Sequence, residues 1–154
     1  DNGLGRRPGL GWNSDYCTNC SNPSEGRLEV RGFGGESFIK LIANYMHSVP
    51  QPGAAGNRTL QELGFHYVNM DASWNTANRD SEGKLVPTPS LWPSGIQHTV
   101  DYVHSLGLGF GLYGDRGTKD CAKNPGALGH EESDAAQLAA WKVDWYKEDS
   151  CYAA

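Results

Sequence analysis

No apolar run in these 154 residues approaches the roughly 20 needed to cross a bilayer as a helix. Basic charge is scarce, since 13 Lys and Arg stand against 18 Asp and Glu and leave a net charge of −5. That balance, with a pI near 5.4, argues against nucleic acid or an anionic membrane as partner. No glycine-rich phosphate loop joins the first strand-like segment to its helix, so the usual nucleotide signature is missing. No two of His98, His104 and His130 stand at a metal-ligand spacing. The lone Cys17-Thr18-Asn19-Cys20 motif is half a zinc site without a second ligand pair. Neither a metal nor a cofactor is expected. The chain opens at Asp1 with no Met and no signal-peptide pattern, which reads as processed or cut.

What is present describes a globular protein with long loops. Charged residues make up 20% of the chain and the mean hydropathy is −0.59. Twenty Gly, eight Pro, five Trp and seven Tyr suggest loops around an aromatic-lined site. Four Cys and the sequons Asn19-Cys20-Ser21 and Asn57-Arg58-Thr59 are compatible with an oxidising compartment.

Periodicity divides the chain into alternating elements. Leu10 to Ser14 is strand-like and runs into a polar loop reaching about Gly35. Helical spacing of Phe38, Leu41, Ile42, Tyr45 and Met46 predicts a helix over 36–49, ended by Pro50-Gln51-Pro52-Gly53. A short helix is expected over 59–63 and a strand over 65–70, ending in Asp71. A helix over 96–106, a strand over 108–113, a helix over 133–141 and a last strand over 143–151 follow. Such alternation implies parallel strands with crossover helices. The fold expected is α/β: about four βα units, the N-terminal half of a (β/α)8 TIM barrel. A doubly wound sheet lacks support. Four units fall short of a barrel's eight, typically about 250 residues, and a half-barrel leaves two open edges. Residues 1–154 are therefore expected to be a partial catalytic barrel domain, truncated at its C-terminus.

Polar and aromatic residues gather where the strands end: Trp12, Asp71 with Trp74, Tyr113 with Asp115, and Lys147 with Asp149. In a barrel those ends build the active site. On the last strand Trp145, Lys147 and Asp149 share one side, and Tyr146 and Glu148 the other. Lys147 then sets a positive charge beside Asp149 and keeps that carboxylate ionised, as a nucleophile must be. A surface salt bridge is the plainer alternative. Trp12 and Trp74 are equally readable as core aromatics, Tyr113 and Asp115 as turn closers, and Cys121 and Cys151 as unpaired thiols.

The ordered motifs carry a resemblance. Asp1-Asn2-Gly3-Leu4, Gly11-Trp12-Asn13-Ser14, Tyr67-Val68-Asn69-Met70-Asp71 with Trp74, and Asn78-Arg79-Asp80 come first. Trp92-Pro93-Ser94-Gly95-Ile96, Asp101-Tyr102-Val103-His104-Ser105, Gly111-Leu112-Tyr113-Gly114-Asp115, Leu128-Gly129-His130-Glu131 with Asp134, and Lys147-Glu148-Asp149-Ser150-Cys151 follow. The chain resembles the N-terminal half of glycoside hydrolase family 27, the α-galactosidase (melibiase) family, apart from an apparent insertion between Ser14 and Phe65.

The resemblance implies retaining hydrolysis of terminal α-linked galactose, with Asp149 as the nucleophile. Trp12, Asp71, Tyr113 and Lys147 would bind substrate. Cys121 and Cys151 match family half-cystines, and so imply a disulfide counted with the substrate-binding positions. The acid/base carboxylate would lie beyond Ala154, which leaves the segment alone inactive. The partner implied is an α-galactoside, and the location secreted or a lysosomal or vacuolar lumen; oligomeric state is not legible. Several positions depart from the family pattern. Ala72 stands where a second aspartate is usual, and Ser73 where a disulfide cysteine is common. Asp15 replaces a tryptophan, and Glu148 an aromatic or apolar residue. These departures keep open a non-catalytic carbohydrate-binding homologue, or a glycosidase with shifted sugar specificity.

Overall fold

Four parallel strands pair in chain order, and the order never reverses. They are β1 (Gly11–Asn13), β2 (Tyr67–Met70), β3 (Gly109–Asp115) and β4 (Trp145–Asp149). The computed structural model describes residues 8–17, 35–53 and 56–153. Helices α1 (Glu36–Ser48), α2 (Ile96–Ser105) and α3 (Glu131–Ala140) form the crossovers. A doubly wound sheet would reverse its strand order at a switch point. Sequential neighbours are instead how successive units of a (β/α)8 barrel are laid down.

Pleat alternation decides what each strand buries. Val68 and Met70 of β2 and Phe110 and Leu112 of β3 join Ile39, Ala43 and Met46 of α1 and Val100 and Val103 of α2 in one core. Tyr67, Asn69, Gly109, Gly111 and Tyr113 face the opposite way. Glycine is required at Gly111, because a Cβ there would run into the Asn69 side chain. Gly107, at φ +72°, ends α2 in the left-handed conformation that glycine adopts without strain.

Most sequence-based boundaries hold within two residues, and the differences have local causes. Thr59 and Glu62 exchange the two hydrogen bonds of a capping box, Thr59 N–H to Glu62 Oε2 at 2.8 Å and Glu62 N–H to Thr59 Oγ1 at 3.2 Å. No helix follows. Gly64, at φ +99°, turns the chain away, so 59–63 is a turn and not the short helix expected. Asp144 is not part of β4: its Oδ2 accepts the Phe110 N–H at 2.8 Å and lies 2.7 Å from His104 Nε2. Ser14–Cys17 is a 3₁₀ turn. Cys20 and the Asn19 sequon lie outside the described residues, as does the side chain of Cys17.

Tryptophan placement corrects the expected aromatic lining. Trp74 and Trp92 are buried in the core, and Trp141 meets Trp74 edge-on at 6.0 Å. Trp145 and Tyr146, on the last of the described strands, are exposed within these residues.

The long loop after β2 is pinned to α3 by a bidentate ion pair. Arg79 Nη1 and Nη2 donate to Asp134 Oδ1 and Oδ2 at 2.6 and 2.7 Å, and also to the carbonyls of Gly83 and Gly126 at 2.9 and 2.8 Å. Asp134 is only 4% exposed. Removing one member of such a pair strands a buried charge, which costs about 3–5 kcal/mol. Asp134→Ala should therefore lower unfolding stability by about that amount in a urea titration. A loss below about 1 kcal/mol, the range of a surface pair, would show that solvent already screens it.

Candidate active site

Because β3 and β4 pair in parallel, Tyr113 lies beside Lys147 and Asp115 beside Asp149. The four side chains and Asp71, the residue after β2, meet at the C-terminal end of the sheet. Asp149 is half-buried. The Tyr113 hydroxyl donates to its Oδ2 at 3.1 Å, and the Ser150 N–H to its Oδ1 at 2.8 Å. Burial, then the hydrogen bond to Asp149 acting against the Cys121 amide, pushes the Tyr113 hydroxyl well above the ordinary tyrosine range. Tyr113 therefore stays a donor at any ordinary pH.

Lys147 sets its charge near Asp149, as its position two residues upstream predicts, but its direct ion pair is with Asp71. Its Nζ donates to Asp71 Oδ2 at 2.7 Å and stands 5.2 Å from the centroid of the Tyr113 ring. Burial works against the ammonium. The hydrogen bond to Asp71, then the charges of Asp71, Asp15 and Asp149, outweigh it and hold Lys147 above the usual lysine range. Lys147 thus remains protonated and spans from β4, past β3, to the end of β2.

Asp71 is 6% exposed and its surroundings are fixed from below. Its N–H donates to Ser14 Oγ at 2.8 Å, and its Oδ1 accepts the Ala72 N–H at 2.9 Å. Ser14 was not singled out by the sequence reading. A hydroxyl just past a strand carries no distinctive pattern, and only the β1–β2 register brings it to Asp71. Trp74 Nε1 donates to the Tyr113 carbonyl at 2.8 Å, and Trp92 Nε1 to the Trp74 carbonyl at 2.9 Å. These two indoles brace the floor of the site.

Trp12 is not brought to the cluster. It pairs with Val68, a residue of the helix-facing layer, and meets Phe38 of α1 edge-on with centroids 5.3 Å apart. The core-aromatic alternative describes its surroundings, and the residue after β1 whose charge reaches Lys147 is Asp15. Glu148, on the outer face of β4, lines a cavity of about 390 Å³ against α3 together with Tyr146 and Leu138. It does not compete with Asp149.

Cys121 and Cys151 are joined by a disulfide with a Cα separation of 5.2 Å. Cys121 Sγ lies 3.3 Å from Asp149 Oδ2, a packing contact, since a disulfide sulfur has no proton to donate. Among the described residues, Asp115, Cys121, Asp149 and Cys151 alone cluster at metal-ligand spacing. The disulfide removes both thiolates from that set, and two carboxylates do not make a soft or tetrahedral metal site.

Comparison with known proteins agrees with this geometry. A family profile described as alpha galactosidase A matches residues 53–154. The α-galactosidase of Coffea arabica is 44% identical over 97% of this chain and 34% of its own length, and that of Cyamopsis tetragonoloba 41% identical over 98% and 32%. The Saccharomyces cerevisiae α-galactosidase solved with raffinose superposes with a TM-score of 0.80 at 30% identity, over 98% of this chain and 28% of that one. The α-galactosidase I of Mortierella vinacea gives 0.80 at 33% identity, over 99% and 33%. The chain thus spans about a third of the length of these relatives, and its four strands and three crossover helices correspond to part of their barrel. On these matches and the ordered strand-end residues that carry them, the chain belongs to glycoside hydrolase family 27, the α-galactosidase family.

Proposed function

We propose that residues 1–154 supply the nucleophile half of a retaining α-galactosidase, as part of a longer catalytic barrel. The observation that supports this most is the environment of Asp149. Its carboxylate sits at a strand end, held by the Tyr113 hydroxyl and the Ser150 N–H, with Lys147 and Asp71 alongside. Asp149 attacks the anomeric carbon, the glycosidic bond breaks, and a covalent glycosyl-enzyme forms on its oxygen. A second carboxyl group, outside these residues, gives its proton to the leaving oxygen. It then takes one from the water that releases the sugar, and two inversions amount to retention. Asp71 and Lys147, held together at 2.7 Å, present an acceptor and a donor to the galactose hydroxyls. The disulfide supports a secreted or vacuolar or lysosomal location.

Asp149→Asn in the complete enzyme should lower turnover of p-nitrophenyl α-galactoside by several orders of magnitude while leaving the circular dichroism unchanged. The first product anomer of the parent, read by proton NMR, should be α-galactose. Undiminished turnover in the variant would sink the assignment.

A shifted sugar specificity draws support from Ala72. With alanine there, Asp71 is the one carboxylate ending β2, and its Oδ1 and Oδ2 already accept from Ala72 and Lys147. A charge-assisted hydrogen bond to a ligand contributes roughly 1.5–3 kcal/mol. Ala72→Asp should therefore raise kcat/KM for α-galactosides by at least about tenfold. A fall in that ratio, with a gain on another α-glycoside, would mark Ala72 as an adaptation to that other sugar.

A further inference from the structure

Asp115 is a carboxylate with no solvent exposure, placed at the end of β3 directly beside Asp149. Its Oδ1 accepts the Gly117 N–H and its Oδ2 the Cys151 N–H, each at 2.7 Å. The first bond turns the chain out of β3. The second reaches into the loop after β4, two residues past Asp149. The backbone closes the same seam: the Arg116 N–H donates to the Asp149 carbonyl at 3.0 Å, and the Ala127 N–H to the Asp115 carbonyl at 2.7 Å. No cation pairs with Asp115 among the described salt bridges, so backbone amides carry the compensation of its charge.

The placement is more specific than a turn closure requires. The Gly117 bond alone completes the turn. The Cys151 bond fixes the half-cystine whose partner, Cys121, packs 3.3 Å from the Asp149 carboxylate. A carboxylate oxygen of Asp115, one of Asp149 and both cystine sulfurs lie within 4.8 Å of one another. Asp115, the disulfide and the nucleophile are thus one packed unit. Burying a charge here is costly, and the two amides that bond its oxygens offset that cost.

We infer that Asp115 is a positioning residue for the glycosylation step: by holding the Cys151 amide it fixes the disulfide wall against which the Asp149 carboxylate is aimed. The inference rests on Asp149 being the nucleophile. Attack needs the carboxylate oxygen and the anomeric carbon aligned at about 3–3.5 Å. A loop end free to shift by an ångström loses that alignment without losing the sugar, because Asp71 and Lys147 hang from β2 and from the body of β4.

The test uses the complete enzyme and two variants. Asp115→Asn keeps one acceptor oxygen and removes the charge, and Asp115→Ala removes both bonds. The measurements are kcat and KM on p-nitrophenyl α-galactoside, inhibition by galactose, and the rate at which a fluorinated galactosyl fluoride labels the protein, read by intact mass. Asp115→Asn should lower kcat and the labelling rate together by about ten- to a hundredfold, and Asp115→Ala by more. The galactose inhibition constant should stay within about twofold. Loss of labelling in step with loss of galactose binding, failure of both variants to fold, or rates within about twofold of the parent would each overturn the inference. Parent enzyme that labels at a residue other than Asp149 would instead overturn the proposed function, so the two failures are separable.

Discussion

Parallel pairing of β3 with β4 is the constraint on which the site depends. Five residue pairs from Gly111–Trp145 to Asp115–Asp149 fix which side chains stand next to each other at the strand ends. A slip by one residue would send Lys147 and Asp149 to the outer face and bring Tyr146 and Glu148 inward. Several features hold that register. Asp144 accepts the Phe110 N–H at the start of β4, Asp115 bonds Cys151 past its end, and the disulfide closes the loop between. For a closed loop of 30 residues, the chain-entropy model gives on the order of 3–4 kcal/mol.

Electrostatics within that frame is a matter of shared charge. One ammonium, Lys147, faces the carboxylates of Asp71, Asp15 and Asp149. It bonds directly to the most buried of them, Asp71, because that oxygen has lost the most water and gains most from a donor. Asp149 is left with neutral donors, a phenol and a backbone amide, and keeps more of its charge available than a carboxylate locked to a lysine would.

Much of the fold was legible in the sequence, because it rests on periodicity. The spacing of Phe38, Leu41, Ile42, Tyr45 and Met46 locates α1, although the face it buries is Phe38, Ile39, Ala43 and Met46, and Leu41 and Tyr45 are exposed. The alternation along 145–149 sets Lys147 and Asp149 on one face. What was illegible depended on facts no window contains. The Thr59–Glu62 capping box is a sound helix-start signal, yet the helix fails for want of residues before Gly64. The resemblance sets Trp12 among the substrate-binding positions, but pleat parity turns its ring to Phe38, and a three-residue strand gives too little pattern to read that parity. The pairing of Lys147 with Asp71 joins residues 76 positions apart, and only the assembled sheet reveals it.

The Lys147–Asp71 pair has one further consequence. The aspartate side chain is 9% exposed and the lysine 37%, so dissolved ions reach the pair from one side only. Screening acts strongly on charges surrounded by solvent and weakly on those backed by protein. Added salt should therefore weaken this pair less than it would weaken one exposed at both ends.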